Sequence, residues 1–254
     1  MIKLKTDEQI GLMAGSGKVT GRVLYELREL MRPGTSTKDI DRFVEESILA
    51  AGMIPTFKGY MGFPANACVS INEELVHGIP DEGRKLAEGD VVSVDVGVTH
   101  KGWVSDAART YAVGEVSGTA ARMINTAKES FFEGLEACRT GNRLEDIGYA
   151  IQSCIEAEGF SVVLEYVGHG IGRSMWEDPK VKNYGTPGKG PMLTKGMALA
   201  IEPMLTEGAA VLKTLSDGWT VVTADGKLAA HYENTVVITG GEPLVLTLDE
   251  RDRD

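Results

Sequence analysis

The sequence predicts an α+β protein in two similar halves, an antiparallel sheet flanked by helices about a pseudo-twofold axis, and three observations carry that prediction. The first is an internal repeat. "RPGTSTKDIDRFVEESILAAG" from Arg32 and "RTGNRLEDIGYAIQSCIEAEG" from Arg139 match at an offset of 107 positions (32 to 139). The match pairs Gly34 with Gly141, Asp39 with Asp146, Ile40 with Ile147, Ile48 with Ile155, Ala50 with Ala157 and Gly52 with Gly159. The second is that the same offset carries "GDVVSVDVG" onto "GMALAIEPM", so Asp95 corresponds to Glu202 and each half sets one carboxylate on a mostly apolar strand. The third is a change of period along each half, from apolar residues at i, i+3 and i+4 to strict alternation.

The elements follow in order. Helices are expected near 7–31, 37–51, 117–138 and 144–158, the second and fourth opening on polar cap candidates after a Gly-containing loop and stopping at glycine. Strands are expected near 67–72, 91–98 and 103–113, then 161–167, 197–206, 219–223 and 228–239. In "VVSVDVGV", residues 91–98, valines face one side while Ser93, Asp95 and Gly97 share the other. The stretches "THKG" and "ADGK" read as hairpin turns, the second through its Asp-Gly pair. A turn centred between His100 and Lys101 sets Asp95 directly opposite Asp106.

Composition excludes several function classes. A net charge of −11 with no Lys/Arg cluster argues against nucleic acid as a partner. Cys68, Cys138 and Cys154 are odd in number and form no CxxC, which suits a reducing compartment. No apolar run reaches the 18 residues of a membrane span, and the N-terminal stretch is amphipathic and charged, so a soluble, cytoplasmic protein is expected. "GSGKVT" and "GTPGKGP" lack the spacing of a phosphate-cradling loop and read as turns.

Asp95, Asp106, Glu202 and Glu233 sit on apolar strands, and a buried carboxylate without a partner costs several kcal/mol. Four carboxylates are balanced by two divalent cations, which two-metal sites hold roughly 3.5–4 Å apart. "GHGIG" offers His169 as a nitrogen ligand between glycines. Oxygen donors with one imidazole and no thiolate suit manganese, iron, cobalt or zinc.

The motifs "SINEELVHGIP", "VDVG" with "SDAARTY", "GHGIGRSM" before "EDP", "AIEPM" and "HYENT" resemble those of the type I methionine aminopeptidases, from about residue 3 to residue 247. The resemblance implies the pita-bread fold, with residues 1–254 as one catalytic domain, acting as a monomer. It also implies a dinuclear site of Asp95, Asp106, His169, Glu202 and Glu233, bridged by Asp106 and Glu233. The implied reaction removes the initiator methionine from nascent chains, with the ribosome as the place where such chains are met. Glu202 is the implied proton acceptor, and His77 matches the histidine that contacts substrate beside the metals. Phe57, Tyr60, Phe63, Cys68, Met175 and Trp219 match the methionine pocket, where sulfur-to-ring contacts contribute about 0.3–1.5 kcal/mol each.

Trp176 departs from this pattern. It stands where the family carries a second histidine that hydrogen-bonds the scissile carbonyl oxygen, so the resemblance implies a metal-loaded but slowed enzyme. Val104, Ser105 and Asn234 are smaller departures beside ligands. Two other readings compete: a proline-specific peptidase of the same fold, which usually carries an extra N-terminal domain, and a catalytically impaired pita-bread protein that binds peptides or a partner. Loss of metal ligands would favour the binding module, and all five are present.

Overall fold

In the computed structural model, which describes residues 1–252, the two sequence repeats take the same backbone course. Helix α1, Asp7–Glu26, opens at Thr6, whose hydroxyl accepts from the Gln9 N–H while the Gln9 side chain accepts from the Thr6 N–H. That reciprocal cap satisfies two of the donors a helix start leaves free. Instead of continuing to 31, the chain tightens into a 3-10 turn, Leu27–Leu30. Helices α2, Thr37–Ala50, and α4, Leu144–Ala157, have both ends displaced by 107 (37 to 144, 50 to 157), and α3, Gly118–Glu136, precedes α4 as α1 precedes α2. Gly52 and Gly159 both turn out of their helices with positive φ, 69° and 79°, a backbone state that penalises any Cβ. The isolated bridge between Ser36 and Lys85 recurs between Arg143 and Met192, again 107 positions on.

Among the described residues, strand Val91–His100 pairs with Trp103–Ala112 along one edge and with Cys68–Ile71 and Ile54–Pro55 along the other. A five-stranded sheet in the second half runs in the order Leu244–Val245, Asn234–Val237, Ala198–Ile201, Gly168–Gly170, Glu177–Val181. Two three-stranded sheets complete the set, one joining Ala229–His231, Met204–Thr206 and Ser161–Val162, the other Leu212–Thr214, Val221–Thr223 and Glu74–Val76.

The structure corrects the expected register of the first hairpin. Asp95 faces Ala108, and Asp106 faces Gly97. The turn is Lys101-Gly102, both with positive φ (49° and 76°), as the mirror-image two-residue turn requires, so its centre lies one position later than expected and every pairing moves by two. The two acids remain on one face as diagonal neighbours, about 7–8 Å apart instead of directly opposed. The "ADGK" turn also forms, with Gly226 at φ 72°, but its flanking strands enter different sheets, so no hairpin results. The expected single strands 197–206 and 228–239 are each broken, at Glu202-Pro203 and at Tyr232-Glu233. Pro203 has no N–H to continue a ladder, and the break opposite it matches, with Tyr232 N–H donating to Pro203 O at 3.1 Å.

The alternation expected of Val91–His100 holds. Val92, Val94, Val96 and Val98 are fully buried against Leu24 and Leu27 from the first helical stretch and Ile40 and Val44 of α2. Full burial of such side chains contributes about 1.5–3 kcal/mol each, which a one-residue slip would forfeit, so the face carrying Asp95 is fixed by the valines behind it. In the second half Met123 and Phe131 of α3, with Ile147 and Ile151 of α4, pack on Leu199, Ile201 and Val236. Helix α1 also meets the C-terminal segment closely: a Cβ on Gly17 or Gly21 would stand 2.3 Å from Leu246 O or 2.7 Å from Thr247 O.

Candidate metal centre and peptide cleft

The two halves meet where the acids lie. Glu233 N–H donates to Ala108 O at 3.0 Å, and Ala108 N–H to Glu233 O at 3.3 Å. Thr235 Oγ1 accepts from Asp106 N–H and donates to Asp106 O, each at 2.9 Å. Arg109, buried between the halves, donates to Glu233 O at 2.6 Å and to Asn234 Oδ1 at 2.8 Å. These bonds carry Glu233 of the second half to Asp106 of the first. Asn234 therefore faces Arg109, and Ser105 Oγ lies 2.8 Å from Thr20 Oγ1 of α1. Val104 packs in the apolar cluster under the cleft, so all three departures support the scaffold.

One donor oxygen each from Asp106 and Glu233 and one nitrogen of His169 lie within 4.8 Å of one another. His169 Nε2 is 3.9 Å from Asp106 Oδ2 and 3.7 Å from Glu202 Oε1. Its Nδ1 is 2.9 Å from Gly170 O. A carbonyl only accepts, so Nδ1 carries the proton in the neutral ring and the Nε2 lone pair faces the acids. Burial holds the ring neutral by pulling its pKa down to about 4. Cys68 is the cross-strand partner of Asp95, and burial, reinforced by the Asp95 charge, keeps its thiol protonated, so the donors are oxygen and nitrogen.

The acids fit a cation by what they lack. Asp95 Oδ1, Asp106 Oδ1 and Glu233 Oε1 are buried and accept no hydrogen bond. Burial raises the Asp95 pKa to about 7, and burial with mutual repulsion raises those of Asp106, Glu202 and Glu233 well above the carboxylate range. Such groups are either protonated or matched by positive charge, and a divalent cation supplies the latter.

All thirteen site residues expected from the sequence line one cavity of about 590 Å³. Phe57, Phe63, Cys68 and Met175 are buried in its wall. The Phe63 ring stands edge-on to Phe57 at 6.5 Å and to Trp219 at 5.1 Å. Gly97 makes room for this wall, since a Cβ there would meet Phe57 Cε1 at 2.6 Å. His77, itself at φ 61°, faces Trp219 and Tyr166, and burial lowers its pKa. Trp176 lies at the mouth, 51% exposed, with its ring 5.6 Å from Tyr60 and 6.3 Å from His169. Ten further lining residues were not assigned from the sequence, Tyr166 and His231 among them. Tyr166 carries no motif signal; His231 does, because it shares the strand face of Glu233 in "HYENT".

A helix-flanked two-half fold with buried acids beneath a peptide-sized cleft is that of a metallopeptidase. Residues 11–240 match the profile of metallopeptidase family M24, and the chain belongs to that family. It is 54% identical to a methionine aminopeptidase of Clostridium acetobutylicum, over 98% of this chain and 100% of that protein. It is 48% identical to methionine aminopeptidase 1 of Bacillus subtilis, over 94% and 96%. The crystal structure of the Thermotoga maritima methionine aminopeptidase superposes with a TM-score of 0.97 at 42% identity, covering 98% of this chain and 100% of that one. The fold is the mixed α+β, pita-bread architecture of these relatives.

Proposed function

We propose that the protein is a metal-dependent aminopeptidase that removes the N-terminal methionine from polypeptides. The observation that carries this reading is the placement of the acid and imidazole cluster at the floor of a cavity walled by aromatic rings, a thiol and a thioether. That wall suits a methionine side chain. Asp95, Asp106, His169, Glu202 and Glu233 would hold two divalent ions, with manganese, iron, cobalt or zinc matching the donor set. When bound, the cations supply Lewis acidity at the peptide carbonyl and lower the pKa of the attacking water.

The chain's own groups do the rest. Phe57, Tyr60, Phe63, Cys68, Met175 and Trp219 seat the methionine and exclude solvent from its side chain. Glu202, whose burial gives its carboxylate a raised proton affinity, takes the proton of the attacking water. His77, neutral through burial, offers one N–H to the substrate backbone. Retention of all five donors argues against a silent binding module. We further propose residues 1–254 as one catalytic domain, monomeric and cytoplasmic, acting on nascent chains at the ribosome. Among the described residues no helix is long and apolar enough to cross a membrane.

Release of methionine from a Met-Ala-Ser peptide, with manganese, cobalt or iron(II) supplied, tests the reading. Metal-dependent release that is abolished in Asp106→Ala is the expected result. No release with any of these metals overturns it.

A further inference from the structure

A third imidazole stands at the cavity floor beside the acids. His231 is 2% exposed, and its Nε2 is buried with no hydrogen-bond partner. That atom lies 3.8 Å from Glu202 Oε2 and 3.8 Å from Glu233 Oε2. The main chain leaves the ring little room to withdraw. His231 N–H donates to Thr110 Oγ1 at 3.0 Å, Thr110 Oγ1 donates to His231 O at 2.7 Å, and His231 pairs with Met204 in the sheet.

The two oxygens of Glu202 divide between two imidazoles. Oε1 faces His169, the nitrogen that converges with Asp106 and Glu233, whereas Oε2 faces His231, which lies outside that convergent set. An oxygen that joins the cation set leaves its twin needing a donor, and His231 Nε2 is placed to supply one. We propose that His231 is a positioning residue of the metal centre: its Nε2–H donates to the outer oxygen of Glu202, with Glu233 as the alternate acceptor, and fixes the rotation of the carboxylate that accepts the proton. The present separation exceeds a hydrogen bond of about 3.0 Å by under an ångström. A carboxylate turns about a terminal torsion with a broad well, so rotation of Glu202 closes it. Groups that orient ligands in this way typically change metal affinity or activity 10- to 100-fold when removed.

The inference rests on the metal-centre reading above, and the test separates the two. Manganese affinity is measured calorimetrically on the full chain, on His231→Ala and on His231→Gln, which keeps one N–H donor; circular dichroism of the chelated proteins confirms that each variant is folded. The expected result is manganese binding about 10- to 100-fold weaker in His231→Ala, most of it restored in His231→Gln, with kcat lowered and KM for Met-Ala-Ser unchanged. Equal affinity and equal kcat in His231→Ala overturn the proposal. A glutamine variant as weak as the alanine one, with an altered cobalt(II) absorption spectrum, also overturns it, because the imidazole is then a direct ligand. If the unmodified chain binds manganese but releases no methionine, the functional reading fails while the affinity comparison still decides the role of His231.

Discussion

Trp176 stands where the motif resemblance implies a histidine. Its indole has one N–H donor, does not titrate, and stands half-exposed between Tyr60 and His169. A donor to a developing oxyanion is typically worth about 10²–10³-fold in rate. Trp176→His is therefore expected to raise kcat on Met-Ala-Ser by about 10²-fold; an unchanged kcat would show that the indole or another donor already serves. The four acids and His169 were legible from strand patterning and from "GHGIG", whereas His77, Phe57, Tyr60, Phe63, Cys68, Met175 and Trp219 were named only through the family resemblance. His231 was less legible, since a histidine that shares a strand face with an acid is equally compatible with a satisfied core residue, and only the orphaned Nε2 separates the two.

At the scale of elements, the loop that carries Met175 and Trp176 is held from the N-terminus. Lys5 Nζ donates to Glu177 Oε2 at 2.8 Å, both side chains being almost fully buried, and Lys5 N–H donates to Gly196 O at 2.7 Å. Glu177 Oε1 also accepts from the Arg173 N–H at 3.1 Å, which closes the loop on itself. Burial pushes the Glu177 pKa up, but hydrogen bonding and charge from Lys5, aided by the backbone, hold it below its ordinary value. The stabilisation is thus complete above the ordinary glutamate range and is lost as pH falls through the lowered value. Breaking a buried pair from one side costs about 3–5 kcal/mol. Glu177→Gln is accordingly expected to lower the thermal midpoint by at least about 6 °C and to raise KM for the peptide, read by calorimetry and steady-state kinetics. None of this was legible in the sequence, because residues 5 and 177 share no local pattern. The strand breaks at Glu202 and Glu233 escaped for another reason: period-2 alternation continues through them, and only the paired interruption across Pro203 and Tyr232 ends the ladders.

For the whole molecule, the repeat was readable as two helices, a strand and an acid in each half, because glycine stops and apolar spacing survive where side chains diverge. How the halves join was not readable; it depends on Arg109, Thr235 and the register set by a two-residue turn. The joint is also where like charge accumulates. Because burial and mutual repulsion raise the acids' pKa values above those of the unfolded chain, these four groups bind more protons folded than unfolded, while buried His77, His169 and His231, their pKa values lowered, bind fewer below the ordinary imidazole value of about 6.5. Stability of the chelated protein is therefore expected to fall as pH rises from about 6.5 to 8, where the histidines are neutral in both states and the acids alone titrate. Added manganese should raise the thermal midpoint more at the upper end of that range than at the lower. A chelated protein equally stable at both, with no metal-dependent shift, would contradict the electrostatic account.

The division of the donors between the halves sets an order on biosynthesis. Asp95 and Asp106 reach the sheet from the first half, whereas Glu233 leaves the ribosome 138 residues after Asp95 (95 to 233). A growing chain that has finished its first half presents Asp95 and Asp106 without His169, Glu202 or Glu233. Cation capture thus waits for the second half to dock. On the proposed ligand set, the hydrolytic centre is complete only once Glu233, the last of its donors in the chain, has joined the sheet.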